Sequence, residues 1–240
     1  MSILYAVRHG QASFFSDNYD KLSEKGEDQA RVLAKHWMAK GVTIDHAFAG
    51  TLQRQTRSAE VVGETYRAAG QEFPEITILE GLNEYEADSV MSILLPALIE
   101  RDEKFATLQR EYNSAVEDRE KYRTFHRLLE AVMAEWVSGG HDMEGLEKWS
   151  GFTSRVHDSM KNIMDVDGSG KTLGVFTSGG VIGVAVQSVL QAPDIKAAEL
   201  NWRVHNGSVT QFTFSKGRIA LDTFNDTAHF VSDPDLLTYR

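Results

Sequence analysis

Short apolar segments and amphipathic helical segments alternate along this chain, and the alternation restricts its fold more than any other sequence feature. Apolar strand patterns lie at residues 2–7, 45–49 and 76–79, and helix patterns lie between them at 24–39 and 52–69. A helix between consecutive strands favours a parallel sheet, because a parallel connection needs a long crossover. We therefore expect an α/β fold, namely a three-layer α/β/α sandwich with a mostly parallel central sheet.

The first helix pattern shows why the assignment is specific. Ser23 stands where an N-cap belongs, and Gly41 stands just past the end, where a glycine commonly ends a helix. The apolar side chains recur at the spacing of one buried face, at Ala30, Leu33, Ala34, Trp37 and Met38. This helix is therefore expected to pack against the sheet.

The same rhythm returns in the last third of the chain. A helix pattern at 149–164 is followed by a strand at 172–177 and a helix at 180–190. Two late strands, at 208–214 and 218–224, are separated by a Lys-Gly pair typical of a hairpin turn. These last two strands are expected to pair antiparallel.

Residues from about 84 to 150 interrupt the alternation, because only helix patterns are found there. We expect a single domain over residues 1–240 with a helical insertion, or cap, at about 84–150, and Gly139-Gly140 as a helix breaker. Its charged stretch, residues 101–137, is most simply a solvated face. A lid, or the contact of a homodimer, is the alternative.

Composition excludes several classes of protein. Acidic residues outnumber basic ones by 35 to 25, so a nucleic-acid or anionic-membrane partner is not expected. The chain has no cysteine, hence no disulfide and no thiolate metal site, which agrees with a cytoplasmic location. The first residues make a poor signal peptide, and no apolar run is long enough for a membrane span. The histidines lack metal-ligand spacing, so no metal is expected.

Arg8, His9 and Gly10 come where the first strand ends, and ligands of open α/β sheets bind outside the carboxyl ends of the strands. A neutral imidazole there is a nucleophile toward phosphorus. A neighbouring guanidinium binds phosphate oxygens and disfavours the imidazolium form, while Gly10 permits close approach of the backbone. An ordinary strand-end histidine beside an exposed arginine would give the same tripeptide.

Arg54 and Arg57 lie at the next passage from strand to helix, where a guanidinium and the helix amides can face the same crevice. Past the third strand, an acid could supply a proton to a leaving oxygen. Glu84, Glu86 and Asp88 all fit that role, and spacing does not choose among them.

A Ser-Gly-Gly turn joins the strand at 172–177 to an apolar helix. Ser178 can cap that helix, and the glycines, beginning with Gly179, leave its first amides open to an oxyanion. Many strand–helix turns share this pattern, so the turn gains weight only beside the other segments.

Taken in order, these segments resemble the histidine phosphatase superfamily, which includes the cofactor-dependent phosphoglycerate mutases. The resemblance is carried by VRHGQAS at 7–13, LSEKGEDQA at 22–30, TLQRQTRSAE at 51–60, Glu84 after Leu82, Glu147-x-Trp149-x-x-Phe152-x-x-Arg155-Val156, and NDTAH at 225–229. It extends from residue 3 to about 230 and is weakest in the middle insertion. Six motifs in the family's order make the match specific.

The resemblance implies the α/β/α fold and a phosphorylated histidine at His9. It implies that Arg8 and Arg54 bind the phosphoryl group, that Glu84 shuttles the proton, and that neither metal nor cofactor is used. With these residues we place Gln11, Ser178 and Gly179 in the phosphate site. The substrate is expected to be a small-molecule phosphate ester.

One position departs from the family pattern, which has a second histidine in a Ser-His-Gly-Gly turn. Here the turn is Thr177-Ser178-Gly179-Gly180. Exchanging a charged donor for a hydroxyl costs about 1–2 kcal/mol, on the order of tenfold in rate. We expect weakened or specialised catalysis, unless His205 or His229 folds back over the crevice and compensates.

Three functions follow from these observations. The first is a phosphomonoester hydrolase acting through phosphohistidine, favoured because the late motifs look phosphatase-like. The second is mutase-like phosphotransfer, and the third is a non-catalytic protein that binds a phosphorylated ligand. Turnover of phosphoesters separates the third from the others, and stimulation by a bisphosphate primer identifies the second.

Overall fold

In a computed structural model, which describes residues 1–13, 20–166 and 168–239, the chain forms two compact units. Unit 1 comprises Met1–Glu84 and Arg155–Arg240, and unit 2 comprises Tyr85–Ser154. Each unit is described in turn.

Unit 1 contains a six-stranded sheet. Its strands are β1 (Ser2–Arg8), β2 (His46–Ala49), β3 (Ile76–Ile78), β4 (Thr172–Thr177), β5 (Val209–Ser215) and β6 (Arg218–Asp226), in the order β3-β2-β4-β1-β5-β6. The first four strands pair in parallel, and β5 and β6 pair antiparallel with β1 and with each other. The expectation of a mostly parallel sheet flanked by helices is confirmed.

Helices of unit 1 cover the sheet as the alternation predicts. They are α1 (Glu24–Ala39), α2 (Gln53–Ala68), the second half of α7 (Trp149–Met164), α8 (Gly179–Leu190) and α9 (Ile195–Asn201). Side chains of α1 and α2 share one core cluster with Val7, Ala47 and Phe176 of the strands. Leu4 and Val175, at alternate strand positions, are equally buried outside that cluster, so both faces of the sheet are covered.

Most local signals in the sequence have the predicted structural outcome. The Ser23 Oγ atom accepts from the Gly26 amide and caps α1. Gly41 follows α1 with φ +69°, and Lys216 and Gly217 turn the hairpin with φ +42° and +77°. The predicted bounds of α1, α7 and β4 agree with the structure residue for residue.

Two local predictions differ. Ser178 precedes α8, but its side chain makes no capping bond, so the predicted cap is wrong. Helix α9 is not anticipated by the sequence pattern. It packs on α8 backbone to backbone, since a Cβ on Gly183 would lie 2.3 Å from the Ala197 carbonyl oxygen.

The regular secondary structure of unit 2 is helical, and an irregular segment at 139–148 separates its last two helices. Helix α3 (Ala87–Ser89) continues through a π-helical turn (Val90–Leu94) into α4 (Leu95–Arg101), followed by α5 (Glu103–Ser114), α6 (Asp118–Ser138) and the first part of α7. Gly139 ends α6 with φ +74°, as a helix breaker should. No helix in the described part of the chain is long and apolar enough to cross a membrane.

An aromatic cluster forms the core of unit 2. Tyr85, Trp136 and Phe152 lie with ring centroids 5.0 to 6.0 Å apart, and Trp149 meets the Trp136 ring edge-on at 5.1 Å. The Trp136 indole donates to the Glu147 carbonyl oxygen at 2.6 Å. The charged stretch carries exposed ion pairs such as Arg127–Glu111, as a solvated face would.

The carboxyl ends of the four parallel strands lie along one edge of the sheet. Across this edge, Glu84 comes after β3, Arg54 after β2, Ser178 directly after β4, and His9 directly after β1. Arg8 and Thr177 are register partners, and the His9 amide donates to the Thr177 carbonyl oxygen at 2.8 Å. Four of the predicted site residues therefore belong to one strand-end crevice, with neighbouring strands about 4.8 Å apart.

Candidate active site

His9 is buried, and its environment fixes the tautomer. Its Nδ1 atom lies 2.7 Å from the carbonyl oxygen of Gly10. A carbonyl oxygen can only accept, so Nδ1 carries the proton and the Nε2 atom carries the lone pair. The Nε atom of Arg54 donates to that Nε2 atom at 3.3 Å. The imidazole thus presents its nucleophilic nitrogen toward the guanidinium of Arg54.

Arg54 is held at its other end by Asp20. Its Nη1 atom lies 2.6 Å from Asp20 Oδ1, and Asp20 Oδ2 accepts from the Gln53 amide at 2.7 Å. Leu52, the N-cap residue of α2, has no side chain able to cap, so the Asp20 carboxylate satisfies an amide of the first turn. Asp20 therefore fixes both the helix end and the arginine.

Arg8 is buried beside the late segments of the chain. Its Nη1 atom donates to the carbonyl oxygen of Val204. The turn at Val204 is fixed by Asn225, whose Oδ1 accepts from the His205 amide at 2.8 Å and whose Nδ2 donates to the Arg203 carbonyl oxygen at 2.7 Å. Asn225 has φ +58°, a left-handed conformation that asparagine tolerates. Asn225 therefore positions the partner of Arg8.

Glu84 belongs to unit 1, and its Oε2 atom accepts from the Gly180 amide in the first turn of α8 at 2.9 Å. The competing acids Glu86 and Asp88 belong to unit 2. Glu86 accepts from the Ser89 hydroxyl in its own turn at 2.8 Å. Within unit 1, Glu84 therefore contacts a helix that begins at the strand-end crevice.

Ser178 is fully buried, and its Oγ atom accepts from the Gln55 Nε2 atom at 2.8 Å. The same Nε2 atom donates to the Leu82 carbonyl oxygen at 3.0 Å, which fixes the orientation of the amide. Because Oγ accepts from Gln55, the hydroxyl proton is left to donate, and no described residue accepts it. Gly179 packs closely, since a Cβ there would lie 2.2 Å from Asn201 Oδ1.

Gly10 and Gln11 join the crevice to α1. A Cβ on Gly10 would lie 2.3 Å from the Gly26 carbonyl oxygen, so only glycine fits there. The Gln11 amide donates to Gln29 Oε1 at 2.7 Å, and Gln11 Oε1 accepts from the Ser23 hydroxyl at 3.1 Å. These bonds direct the Gln11 side chain to the start of α1, and its role as a phosphate ligand stays a prediction.

His205 lies near Arg8. Burial lowers its pKa, the Asn225 hydrogen bond raises it, and the charge of Arg8 lowers it again. His205 Nδ1 lies 3.3 Å from Asn225 Oδ1 and 3.0 Å from Asn225 Nδ2, and the buried Nε2 atom has no hydrogen-bond partner among the described residues. Compensation by His205 for the missing family histidine stays a prediction.

His229 has a packing role. Its Nε2 atom donates to the Gly207 carbonyl oxygen at 3.0 Å, and its ring packs on Phe230 and beside His36 of α1. Burial lowers the pKa of His229 to about 4, although the Gly207 bond raises it. These contacts place His229 between α1 and the C-terminal segment, and we do not assign it to phosphate.

Arg57 does not share the orientation of Arg54. Its Nε atom contacts Glu27 Oε1 of α1 at 2.9 Å, and its Nη1 atom contacts Glu64 Oε1 at 2.7 Å. Hydrogen bonds to these carboxylates raise the pKa of Arg57, and the Arg57 bond lowers the pKa of Glu27. Two side chains three residues apart on a helix differ in direction by about 60° around the helix axis. Arg57 therefore points to acidic residues of α1 and α2, whereas Arg54 points to His9.

Sequence reasoning missed three residues that support the site: Asp20, Gln55 and Asn225. Gln55 and Asn225 lie in two of the motifs that carry the family resemblance, at 51–60 and 225–229, but the sequence assigned neither of them a role. Asp20 and Gln55 act through partners more than 30 residues away, namely Arg54 and Ser178. No described group of three or more histidine or acidic side chains could hold a metal ion.

One sheet edge thus carries an imidazole whose Nε2 lone pair accepts from Arg54, the buried Arg8, the partly buried Arg54 and a carboxyl group. Such a set can bind an anionic ester and attack its central atom. Fold and site together define a class of α/β proteins that carry a histidine, two arginines and a glutamate at one strand-end crevice.

Comparison with known families makes this specific. The model of the histidine phosphatase superfamily (branch 1) matches residues 4–144 and 110–227, and the chain belongs to this family. No match is found among curated proteins.

Solved structures share the fold. A phosphoserine phosphatase from Entamoeba histolytica aligns with TM-score 0.61 and 17% identity, over 96% of this chain and 100% of that one. A putative α-ribazole-5′-P phosphatase from Escherichia coli aligns with TM-score 0.59 and 18% identity, over 94% of this chain and 98% of that one. A mycobacterial glucosyl-3-phosphoglycerate phosphatase aligns with TM-score 0.61 and 18% identity, over 95% of this chain and 98% of that one. At such identities the likeness shows the fold alone.

Proposed function

We propose that the protein is a phosphomonoesterase that acts through a phosphohistidine at His9, without a metal. The observation that carries the proposal is the bond from His9 Nδ1 to the Gly10 carbonyl oxygen. This bond leaves the lone pair on Nε2, where Arg54 already approaches within 3.3 Å. A phosphoryl group bound by Arg54 would therefore stand next to the nucleophile.

The reaction has two steps. The Nε2 lone pair attacks phosphorus, the bond from phosphorus to the ester oxygen breaks, and Glu84 gives its proton to that oxygen. Water then attacks the phosphoryl group as Glu84 takes a proton from it, the phosphorus–nitrogen bond breaks, and phosphate leaves. Arg8 and Arg54 bind the phosphoryl oxygens throughout, so negative charge is balanced at each stage.

Ser178 would contribute a hydrogen bond to this centre. Because Gln55 donates to its Oγ atom, the serine proton is directed away from Gln55 and toward an acceptor such as phosphate. The Gly179 amide lies beside it at the start of α8, where anions bind favourably, and the next amide, of Gly180, donates to Glu84. A neutral hydroxyl replaces the family's histidine, so turnover slower by about tenfold is expected.

The substrate class we propose is a small-molecule phosphate monoester. Three proteins of the same fold are named as phosphatases of phosphoserine, α-ribazole-5′-P and glucosyl-3-phosphoglycerate, all small phosphate esters. The formal charge of −10 also disfavours nucleic acid or an anionic membrane as partner. The specific ester depends on side chains beyond the phosphate site.

Rapid-quench kinetics with an aryl phosphate test the proposal. We expect a burst of phenol of one equivalent per enzyme at most, and no burst in His9→Ala. Vanadate should raise the melting temperature of the wild-type protein, because it binds the folded state at the phosphate site. Stabilisation by vanadate with no turnover across a phosphoester panel would favour a non-catalytic binder. Phosphoglycerate isomerisation stimulated by a bisphosphate primer would favour the mutase.

A further inference from the structure

We propose that Arg155, Gln55 and Thr177 are positioning residues that hold the turn carrying Glu84 at the distance a proton transfer needs. The inference rests on the proposed function and adds to it the residues on which the proton donor depends. It is drawn from the backbone of residues 80–84, a turn of 3-10 helix and its end, which follows the short strand β3.

The carbonyl groups of this turn are bound by side chains from three other elements. The Leu82 oxygen accepts from Gln55 Nε2 of α2 at 3.0 Å and from Thr177 Oγ1 of β4 at 2.7 Å. Gln55, Thr177 and Leu82 are all almost fully buried. The two donors use both lone pairs of this buried carbonyl oxygen, so the loss of either one leaves a lone pair unpaired and weakens the restraint on the backbone.

Arg155 binds the next part of the same turn. Its Nη1 atom donates to the backbone carbonyl oxygens of Asn83 at 2.6 Å and Gly81 at 3.2 Å. Its Nη2 atom donates to the backbone carbonyl oxygen of Glu84 at 3.5 Å. The planar guanidinium thus spans three carbonyl groups of the acid's own turn. A Cβ on Gly81 would lie 2.1 Å from Ser159 Oγ, so α7 packs directly on this turn.

The carboxyl group of Glu84 is directed to the same place as its backbone. Its Oε2 atom accepts from the Gly180 amide, two residues after Ser178. The Gln55 amide that holds the Leu82 oxygen also holds Ser178 Oγ. One buried side chain therefore connects the acid's turn with the position that the family's second histidine would occupy.

Such precision matters for a general acid. A positioned acid contributes about 10²–10⁴-fold, and only when it lies within hydrogen-bond reach of the leaving oxygen. A displacement of about 1 Å can cost on the order of 10²-fold. The need for the acid depends on the substrate, because an acidic phenol leaves as its anion whereas an alkyl alcohol must be protonated as it leaves.

The test compares two substrates in two variants, Arg155→Lys and Thr177→Val. We expect kcat/KM for an alkyl phosphate such as glycerol phosphate to fall about 10²-fold, against less than about threefold for p-nitrophenyl phosphate. The phosphohistidine burst with p-nitrophenyl phosphate should keep its amplitude. Gln55→Leu should show the same difference between the two substrates. Its kcat/KM should also fall further on both, because Ser178 Oγ loses its donor.

Matched controls are Arg57→Lys and Thr65→Val. Arg57 binds acids of α1 and α2, and the Thr65 hydroxyl binds the Val61 oxygen of its own helix at 2.7 Å. In both controls, the ratio of kcat/KM for the alkyl phosphate to kcat/KM for p-nitrophenyl phosphate should equal that of the wild type.

Equal losses on both substrates, or no loss on either, in variants that melt cooperatively would overturn the inference. If Arg155→Lys does not fold, the near-isosteric Thr177→Val decides. A wild-type protein inactive on both substrates would instead defeat the proposed function, so the two failures are distinguishable.

Discussion

The Nε atom of Arg54 donates to the Nε2 atom of His9 across 3.3 Å, so the base that would attack phosphorus is already paired with the cation that would bind phosphate. A phosphate oxygen is a stronger acceptor for a guanidinium than a neutral imidazole is. Substrate would therefore draw Arg54 onto its oxygens and leave the histidine lone pair directed at phosphorus.

The first prediction separates two arginines on one helix. Arg54→Ala removes a cation from the phosphate site, and kcat/KM for a phosphate ester should fall by about 10²-fold or more. Arg57→Ala removes a cation bound to Glu27 and Glu64, and kcat/KM should change less than about threefold. Steady-state kinetics decide. A loss of kcat/KM in Arg57→Ala as large as that in Arg54→Ala would contradict the assignment of Arg54, and not Arg57, to the phosphate site.

The second prediction concerns the close approach of β1 and α1. Gly10→Ala would place a methyl group against the Gly26 carbonyl oxygen, and stability should fall by about 1–3 kcal/mol. Gly151→Ala is the control, because its Cβ would meet nothing nearer than Glu147 Cγ at 3.9 Å within helix α7. There we expect a gain of about 0.5–1 kcal/mol. Urea denaturation measures both, and a tolerated Gly10→Ala would refute the packing.

How much of this could be read from the sequence depends on the range of the interaction. The alternation of strands and helices predicts the parallel sheet, and the rule that ligands bind at carboxyl ends brings His9, Arg54 and Glu84 to one edge. Both predictions rest on local sequence patterns and on general rules of sheet topology, which apply to residues in or next to regular helices and strands.

Pairings between distant side chains were not predictable in this way. Ser178 follows a strand and precedes a helix, which locally indicates a cap, yet Gln55, 123 residues earlier, takes its Oγ atom. Gln55 lies in the motif at 51–60, but nothing local to that motif indicates its distant partner. Only the register of β2 beside β4 brings the two together, and single-sequence patterns carry no information on that register.

The third prediction tests whether the Ser178 hydroxyl serves a bound phosphate. In Ser178→Ala, Gln55 still holds the Leu82 oxygen, so the fold should persist. We expect kcat/KM to fall about tenfold, equivalent to about 1.4 kcal/mol for one hydrogen bond to a charged oxygen. Ser188→Ala, at an exposed position of the same helix, is the control. Unchanged kinetics in Ser178→Ala would restrict this serine to structure.

The fourth prediction is a pH dependence of stability. The pKa of His229 is about 4 in the folded protein, against 6.5 for an ordinary histidine. The unfolded chain therefore binds more protons between these values. The contribution of neutral His229 is complete above pH 6.5 and is lost as the pH falls toward 4, by on the order of 3 kcal/mol.

Melting temperatures of His229→Gln, which retains a donor for the Gly207 oxygen, should decline less steeply between pH 6.5 and 4 than those of the wild type. His157→Gln, at an exposed site on α7, should follow the wild type. Parallel curves for wild type and His229→Gln would show that His229 is not the group that titrates.

The most direct test of the central claim is to locate the phosphoryl group during turnover. Enzyme mixed with an aryl phosphate and quenched in alkali, where phosphohistidine survives, should carry one phosphoryl group on the peptide containing His9. Phosphorus and nitrogen NMR should place it on Nε2, since Nδ1 is bound to the Gly10 oxygen. A phosphoryl group on Nδ1, on another residue, or on none while product is still released would contradict the account.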